Sequence, residues 1–542
     1  MKTTEKTTEI KFNTDENVDI SLEDLCKLQA QQIEELTAKL NWYEEQFRLN
    51  QQKRFGSSSE KTVPDQISLF NEAEKEYRPE KEEPEIEEII YKRRKKKGLN
   101  KKSFEDLPVE RIEYTLPEEE RNCPECNTHL HEMSKEIRKE LKIIPAQVKV
   151  VEHVQYIYAC RQCEKDNIST PIIKAKMPNP VLKGSFASPS LIAYTMHRKY
   201  SEAVPLYRQE QQYQNFGIDL SRQNLANWVI YGANTWLKPL YDRMHEFLLK
   251  EPIIHADESS MQVLDEVGKK PTSKSYMWLY ATGKYSNPIY MYEYQPSRAK
   301  RHPKEFLKGF NGFLQTDGYS AYNAVEDVTI IGCFAHARRG FTDTLKALSK
   351  DAKTSVTNAE EGKKFCDKLF ELEKKFDKEK LTPEERYKKR KEHTEPVIQD
   401  FLSWLKTKEK QVLPKTSLGK AIKYCLNQWD KLTAFMLDGR IEISNNRAER
   451  AIKPFVIARK NFLFSKSPHG ATASAITFSF IETAKANNLN TFHYLTYLFE
   501  KLPNIDLDNL EELDKLLPWS EFIPEVCRVP IKEDDNIEAI PD

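Results

Sequence analysis

The chain has 542 residues, 39% of them hydrophobic and 31% charged, which is enough for three or more folding units with substantial cores. Lysine plus arginine equals aspartate plus glutamate at 84 each, so the net charge alone does not indicate a nucleic-acid partner. The sequence contains no apolar run of the ~18 residues that a membrane-spanning helix needs, and its N-terminus lacks an apolar signal core. We therefore expect a cytoplasmic protein without a membrane partner, whose nine cysteines are reduced.

Residues 20–55 show the pattern of a coiled-coil helix. Apolar side chains alternate three and four residues apart from Leu22 to Phe47, with the polar Gln29 on the same seam. The narrow stripe favours self-association, although an amphipathic helix packed on its own chain would give the same pattern. Residues 56–110 follow as a charged linker, and its basic part ("KRRKKKGLNKK") either contacts DNA phosphates or is only a tether.

Two CxxC pairs indicate a zinc ribbon in residues 111–180. The segment between them ("KIIPAQVKVVEHVQYIYA") alternates and is rich in β-branched and aromatic residues, so it predicts the two strands of a hairpin. Four thiolates make a closed tetrahedral site, so Zn²⁺ there is expected to be structural and not catalytic. The predicted ligands are Cys123, Cys126, Cys160 and Cys163. Three histidines lie close enough in sequence to substitute, namely His129, His131 and His153.

Residues 185–245 are predicted to be helical and to bind DNA. A helix, a second short helix, a glycine-containing turn and a third helix follow one another, as in a helix-turn-helix. Ser221 suits the N-cap of the third helix. The next three residues, Arg222, Gln223 and Asn224, have side chains that suit base edges in a major groove. A plain helical bundle would show the same periodicity.

From residue 250 the pattern changes to short strands separated by helices. Their order is three strands, helix, strand, helix, strand and helix, which predicts a mixed sheet. Asp257 is expected to end the first strand ("IIHAD") and Asp317 the fourth ("GFLQTD"). If these strands are neighbours, both carboxylates project from one edge and repel each other unless a cation lies between them. Mg²⁺ suits that position because it binds one or two carboxylates together with phosphate oxygens.

A third carboxylate is offered by the predicted helix "SNNRAERAIKPF". Its polar face comprises Asn446, Glu449, Arg450 and Lys453, and its apolar face comprises Ala448, Ile452 and Phe455. Glu449 can therefore face the sheet edge with Arg450 and Lys453 beside it for DNA phosphate. Pro454 is expected to end the helix.

Six motifs together resemble the DDE transposases of bacterial insertion-sequence family sixty-six. They are "HADES", "TDGYSAYN", "CFAHARRGF", "NNRAERAIKPF", "RKNFLFS" and "IETAKANNLNTFHYL". The resemblance covers roughly residues 20–520 and implies a multidomain α/β protein with a ribonuclease-H-like catalytic core. The implied order after the helical region is a catalytic domain at 250–465 with a helical insertion at 346–429, a C-terminal helical segment at 466–525 and a tail at 526–542.

The resemblance also implies an activity. The chain would bind the ends of its own mobile element, cleave their 3′ ends with two Mg²⁺ (or Mn²⁺) ions, and join them to target DNA. Asp257, Asp317 and Glu449 would hold the metal, with Glu482 as the rival for the third position. The implied partners are double-stranded DNA, further copies of the chain and companion proteins of the element. A catalytically lapsed DNA-binding protein and a nuclease that cuts without joining are the alternatives.

Several further residues near these motifs have expected roles. DNA phosphate contacts are predicted for Arg338, Arg339, Arg459 and Lys460, in addition to Arg450 and Lys453. Cys333 and His336 form a CxxH pair, for which a packed cysteine and a hydrogen-bonded histidine are expected in preference to zinc. His255 either helps to position the acids or is a structural histidine without a role in the site. Glu258 is expected to point away from the metal site.

Overall fold

The computed structural model describes residues 29, 33 and 36, and the ranges 147–159, 172–347 and 357–530. By internal contacts the chain divides into one unit of Met1–Ser57 with Val154–Asp542 and a second of Ser58–His153. Of the second unit only residues 147–153 are described, and every described helix and strand belongs to the first. All four predicted zinc ligands and most of the predicted coiled coil lie outside the described residues. Gln29, Ile33 and Leu36 are helical and exposed.

The described part of the ribbon region corrects the predicted hairpin. Residues 147–156 form no regular structure and are exposed, and only β1 (Ile157–Ala159) is a strand. Its antiparallel partner is β2 (Ile172–Lys174), with Ile157 opposite Lys174, so the pairing spans the second CxxC pair. Within the described residues, strand pairing to β2 begins only at Ile157, and a strand needs cross-strand partners to be stable.

The predicted helical region is helical. Its helices are α1 (Pro189–Met196), α2 (Leu206–Asn215), α3 (Arg222–Tyr231) and α4 (Lys238–Leu248), with π-helical turns at His197–Ser201 and Gly232–Leu237. The turn between α2 and α3 contains Gly217 at φ +74°, a backbone conformation that favours glycine. Ser221 caps α3 as predicted, since its hydroxyl accepts a hydrogen bond from the Asn224 amide at 3.3 Å.

A five-stranded mixed sheet forms the centre of the unit, as the strand pattern predicts. Its strands are β3 (Ile253–Gln262), β4 (Lys274–Thr282), β5 (Tyr290–Gln295), β6 (Gly312–Gln315) and β7 (Val328–Ile331). Their spatial order is β5-β4-β3-β6-β7, with β3, β4 and β5 antiparallel and β3, β6 and β7 parallel. Helix α5 (Arg301–Phe306) connects β5 to β6, and the expected helix between β6 and β7 is only a 3₁₀ turn, Ser320–Ala324.

The first strand of the sheet is longer than predicted. Asp257 was expected at the end of that strand but lies inside it, because β4 pairs with β3 from Ile254 through Gln262. On its other side β3 pairs with β6 only as far as His255. The polar stretch "DESSMQ" is therefore a strand that pairs with β4 along its whole length but with β6 not at all, which hydrophobicity alone did not reveal.

The helices after β7 share an apolar core. Helix α6 (Phe334–Ala347) packs on α7 (Asn358–Lys378) and on α10 (Ser417–Asn427). The remaining helices of the insertion are α8 (Pro383–Lys389), α9 (Glu395–Glu409) and α11 (Trp429–Thr433). Phe341 of α6 and Phe401 of α9 are both buried, with ring centroids 6.2 Å apart. The insertion is therefore continuous with the sheet's own helix α6 through shared packing.

A buried ion cluster anchors the exit of the insertion. The two oxygens of Glu373 accept hydrogen bonds from the Arg390 guanidinium at 2.8 and 2.7 Å, and Arg386 donates to the same carboxylate at 2.9 Å. Arg390 also donates to the carbonyls of Phe435, Asp438 and Ile441. These three carbonyls lie just before the next helix, so Arg390 fixes where that helix begins.

Helix α12 (Asn446–Phe462) corrects a second expectation, because Pro454 lies inside it and does not end it. Proline removes one helical hydrogen bond, but Ile452, Phe455 and Ala458 are buried and hold the helix on both sides of it. The Tyr292 hydroxyl donates a hydrogen bond to the Ala451 carbonyl in the same region. The predicted faces are confirmed, since Ala448, Ile452 and Phe455 are buried.

The C-terminal segment consists of α13 (Pro468–Ala486), α14 (Thr491–Lys501) and α15 (Leu510–Asp514). Helix α13 covers β5, where the Ser479 hydroxyl accepts a hydrogen bond from the Tyr292 amide at 2.8 Å. Helix α14 packs on α1, which joins the C-terminal segment to the helical region. Across the residues described, none of the helices combines the length and the apolar character needed to traverse a membrane.

Candidate active site

Two aspartates lie at the same level on adjacent parallel strands. His255 of β3 is opposite Gln315 of β6, so Asp257 and Asp317 each lie two residues beyond a paired position. Asp317 leaves the strand in a tight turn whose next residue, Gly318, has φ +93°. The Tyr319 amide donates a hydrogen bond to Asp317 Oδ1 at 2.9 Å, and the Glu258 amide donates to Asp257 Oδ1 at 2.8 Å. Each carboxylate is thus oriented by backbone and keeps its second oxygen for another partner.

The charge around Asp257 is uncompensated. Burial and the charges of nearby carboxylates raise its pKa well above the ordinary value, against the hydrogen bond from the Glu258 amide. The carboxylates that raise it are Glu258, Asp317 and Glu449. Asp257 therefore lies within electrostatic range of both other predicted ligands, although these come from distant parts of the chain.

Glu449 reaches this edge because Asn445 ties the start of α12 to β3. The Asn445 side chain donates a hydrogen bond to the Ala256 carbonyl at 2.8 Å, and its Oδ1 lies 3.1 Å from His255 Nδ1. Its own carbonyl accepts from the Glu449 amide at 3.1 Å, in the first turn of the helix. Asn445 is fully buried. The Asn445 side chain therefore sets the distance between the helix that carries Glu449 and the strand that carries Asp257.

His255 is part of this positioning network and does not face the acids as a free group. Its Nε2 lies 3.3 Å from Glu442 Oε2, on the side away from Asn445. Although burial opposes it, contact with His255 and Arg447 lowers the pKa of Glu442 to about 2. Glu442 is thus a carboxylate whose charge is matched by the Arg447 guanidinium, in contrast to Asp257.

The CxxH pair lies at the start of α6, beside Glu449. The Cys333 thiol is buried and accepts a hydrogen bond from the Asn445 amide at 3.1 Å, and burial raises its pKa to about 11. It is a packed cysteine, as expected. His336 Nδ1 lies 3.7 Å from Glu449 Oε1, and neither atom has a hydrogen-bond partner although both are buried. The expectation of a hydrogen-bonded histidine therefore holds only at Nε2, which lies 3.2 Å from Arg339 Nη1.

Glu258 points to the opposite face of the sheet, as expected from the alternation of a strand. Arg298 pairs with its Oε1, and the Tyr322 hydroxyl donates to its Oε2 at 2.6 Å. The Arg298 guanidinium also stacks on the Tyr319 ring, 3.7 Å from its centroid. Through Arg298 and Tyr322, Glu258 therefore stabilises the segment that follows Asp317.

Glu482 lies on α13, the helix that covers β5. It pairs with Lys485 at 2.9 Å on the same helix, and the group on β5 that it influences is Tyr292. Strand β4 separates β5 from β3. The charge of Glu449 is among those that raise the pKa of Asp257.

The predicted DNA-contacting side chains divide into three groups. Arg222, Gln223 and Asn224 are exposed at the start of α3. Arg450 and Lys460 are exposed and Lys453 half-buried along α12, while Arg339 lies 3.5 Å from Glu449. Arg338 and Arg459 are also engaged within the protein, since Arg338 pairs with Asp367 of α7 and Arg459 donates to the Ser260 carbonyl of β3.

The side chains at the edge fit divalent cations. Carboxylate oxygens are the donors that Mg²⁺ and Mn²⁺ prefer, and a neutral imidazole is a donor that Mn²⁺ accepts more readily than Mg²⁺ does. Burial and Arg339 lower the pKa of His336 below its ordinary value, although Glu449 and Asp317 oppose this, so its ring is neutral at neutral pH. The two unpartnered buried atoms on His336 and Glu449 would both gain a partner from a cation.

Of the residues that position the acids, sequence reasoning indicated His255 but missed Asn445 and Arg390. Asn445 gave a signal, since it is the first Asn of the motif "NNRAER". Arg390, which fixes the approach to α12, gave none, because nothing local distinguishes it from the other cations of the insertion.

Comparison with known families agrees with this arrangement. The family model described as "Transposase IS66 family" matches residues 184–473, more than half of the chain, and includes all three acids of the edge. The "zinc-finger binding domain of transposase IS66" matches residues 120–164, which contain the four paired cysteines. The "IS66 C-terminal element" matches 479–519, and "Transposase C of IS166 homeodomain" matches 42–112.

Two proteins of Sinorhizobium fredii (strain NBRC 101917 / NGR234) are among the similar sequences. The uncharacterized protein y4jD is 30% identical over 424 residues, covering 76% of this chain and 80% of its own. The uncharacterized protein y4hP is 28% identical over 446 residues, covering 78% of this chain and 77% of its own.

Proposed function

Since this chain belongs to the IS66 family of transposases, we propose that it cleaves the 3′ ends of an insertion sequence and joins them to target DNA. The observations that support the proposal are that Asp257 and Asp317 each lie two residues beyond a paired position of adjacent parallel strands, and that the charges of Asp317 and Glu449 both raise the pKa of Asp257. These acids come from a strand, a turn and a helix that are far apart in the chain. Carboxylates that repel one another within a fold are the pattern of a site built for a cation.

The catalytic domain is proposed to be ribonuclease-H-like. In support, three antiparallel strands are followed by two strands parallel to the first, with the first strand in the centre. The first acid lies on that central strand and the second directly after its parallel neighbour. The helical insertion lies between β7 and α12, that is, between the second acid and the third.

The proposed roles of the acids follow from their surroundings. Asp257 and Asp317 hold two Mg²⁺ or Mn²⁺ ions from the sheet, and Glu449 holds them from the helix. Two divalent ions in such a site activate a water and stabilise the leaving oxygen of a phosphodiester. Asn445 and His255 keep α12 at the distance from β3 that this requires. Glu449 is favoured over Glu482 because the family's transposase model includes Glu449 and ends before Glu482.

The proposed partners are the DNA of the element ends, the target DNA and further copies of the chain. The exposed Arg222, Gln223 and Asn224 on α3 are placed to read base edges in a helix-turn-helix. Arg339, Arg450, Lys453 and Lys460 are placed to meet phosphates around the acids. Arg338 and Arg459 are proposed to stabilise the fold rather than to contact phosphates, because each has a partner within the chain.

The N-terminal part is proposed to assemble the complex. Cys123, Cys126, Cys160 and Cys163 would hold one structural Zn²⁺, supported by the zinc-finger match over 120–164. The heptad segment at 20–55 would join subunits, since both ends of an element must be paired before joining. Ile33 and Leu36 of its seam are exposed on a helix, which leaves them accessible to a second chain.

The test is a pair of reactions on DNA that carries candidate element ends. Wild-type protein with Mg²⁺ should cleave the 3′ ends and should also join pre-cleaved ends to a plasmid, and Asp257→Ala should do neither. Cleavage without joining would support a nuclease in place of a transposase. Sequence-specific binding without either reaction would indicate a DNA-binding protein whose catalysis has lapsed.

A further inference from the structure

Two buried polar atoms at the site face each other without a partner. His336 Nδ1 and Glu449 Oε1 are 3.7 Å apart, and within the described residues neither makes a hydrogen bond. Buried polar atoms in a folded protein are almost always satisfied, so each exception needs a physical explanation. An absent third atom between them would account for both.

The separation matches the space that one cation occupies. Two ligand atoms that each lie about 2.1 Å from one ion, at a right angle, are about 3 Å apart. A closure of less than about 1 Å would bring His336 and Glu449 to that geometry. Rotation of the two side chains can supply it without moving the backbone.

Both side chains are held by the same junction. His336 lies in the first turn of α6, and the amide that begins this helix, that of Phe334, donates to the Ile443 carbonyl at 3.2 Å. Asn445 donates its amide to the Cys333 thiol and accepts from the Glu449 amide. The starts of α6 and α12 are thus fixed to each other, as a ligand pair requires.

The remaining neighbours leave His336 as the nitrogen donor. Cys333 lies in the same group of potential ligands, whose atoms are within 4.8 Å of one another, but its buried sulfur already accepts a hydrogen bond from the Asn445 backbone amide at 3.1 Å. Cation binding at His336 Nδ1 leaves the ring proton on Nε2, so Arg339 must turn away from the ring. Its side chain is 54% exposed and has solvent to turn into.

We propose that His336 Nδ1 and Glu449 Oε1 bind one divalent cation together, so that one metal position of the site has a nitrogen ligand. This inference rests on the proposed metal-dependent function of the same acids. Imidazole favours first-row transition ions, whereas Mg²⁺ prefers oxygen ligands. The position is therefore expected to select Mn²⁺ over Mg²⁺.

Electron spin-echo envelope modulation of Mn²⁺ bound to the full-length, zinc-loaded protein tests this without reference to catalysis. Wild type should show ¹⁴N modulation from a bound imidazole, and His336→Gln should lose it and weaken Mn²⁺ binding at least about tenfold. His336→Asp restores an oxygen ligand, so it should recover Mn²⁺ binding without ¹⁴N modulation. His469→Gln, an exposed histidine at the start of α13, is the matched control and should leave the signal unchanged.

The outcomes separate this inference from the function on which it rests. If Mn²⁺ binds, is lost in Asp317→Asn, and yet shows no ¹⁴N modulation or keeps it in His336→Gln, the histidine ligand is wrong and the acidic site stands. If Mn²⁺ binding is absent in wild type, or survives in both Asp257→Asn and Asp317→Asn, the acidic metal site itself is wrong.

Discussion

The edge of the sheet and the insertion both bury carboxylates, but they treat the charge in opposite ways. In the insertion, Glu373 is surrounded by the guanidinium groups of Arg386 and Arg390, and every oxygen has a donor. At the sheet edge, Asp257 is surrounded by other carboxylates, and Glu449 Oε1 is buried without a hydrogen bond.

Pairing with cations distinguishes the buried acids that stabilise the fold from the buried acids that are proposed to bind a metal ion. Breaking a buried, fully paired ion cluster is costly because an uncompensated charge remains. Neutralising one acid in a group of like charges relieves repulsion, so it should stabilise the fold while it removes the ligand. The two regions should therefore respond to the same chemical change, acid to amide, with opposite signs in stability.

The largest effect is expected from Asp317→Asn on strand cleavage. Removing one of three acidic ligands should lower the rate at least about a thousandfold, which corresponds to about 4 kcal/mol of transition-state stabilisation. The free energy of unfolding in urea should not decrease. If Asp317→Asn were inactive because it is unfolded, the proposal that acids at the sheet edge do not stabilise the fold would be contradicted.

In the insertion, Glu373→Gln should destabilise the fold by about 3–5 kcal/mol, because two buried guanidinium groups lose their counter-charge. The measurement is urea unfolding followed by circular dichroism. Glu371→Gln, an exposed position on the same helix, is the control and should change stability by less than about 0.5 kcal/mol. Equal effects at the two positions would show that the cluster does not anchor the insertion.

A smaller loss is expected for the acid next to Asp257. Glu258→Gln removes a carboxylate that pairs with Arg298, whose side chain is 39% exposed, so solvent compensates part of the loss. Burial raises the pKa of Glu258 against its contacts with Tyr322 and Arg298, which reduces the loss further. We expect a stability decrease of about 1–3 kcal/mol and a cleavage rate within about tenfold of wild type when both are measured on one preparation. A loss of activity as large as that of Asp257→Asn would mean that the two faces of β3 are not functionally distinct.

The smallest effect is a pH dependence of stability. An aspartate whose pKa is raised by folding stabilises the fold while protonated, and this contribution is lost as the pH rises through the folded-state pKa. Without Mg²⁺ or Mn²⁺, Asp257→Asn should therefore match wild type at low pH and become progressively more stable than it above the ordinary carboxyl range. The comparison is urea unfolding across pH, and added Mg²⁺ should reverse the difference. A constant difference at all pH values would show that Asp257 is not strained by its neighbours.

Much of the sheet could be predicted from the sequence, because its strands are short apolar runs separated by turns. The order of the five strands, the helix before β6, the helix after β7 and the two faces of α12 followed from local periodicity, whereas the helix expected between β6 and β7 is only a 3₁₀ turn. The length of β3 did not, because "DESSMQ" becomes a strand only through its pairing with β4. The helix continued past Pro454 because the packing of Phe455 and Ala458 outweighs the loss of one hydrogen bond.

The site was predictable only in part for a related reason. An acid after a buried strand is visible in the sequence, and so is a polar helix face. That Asn445 joins β3 to α12, and that His336 meets Glu449, depends on contacts between residues more than 100 positions apart. Such contacts leave no local pattern.

The measurement that tests the account most directly is metal-dependent cleavage of element-end DNA by Glu449→Gln and Glu482→Gln, with Asp317→Asn as the inactive reference. The two glutamates both lie on helices that cover the sheet, and Glu449 is among the carboxylates whose charge raises the pKa of Asp257. We predict that Glu449→Gln is as inactive as Asp317→Asn, while Glu482→Gln retains cleavage. An inactive Glu482→Gln beside an active Glu449→Gln would contradict the proposed site.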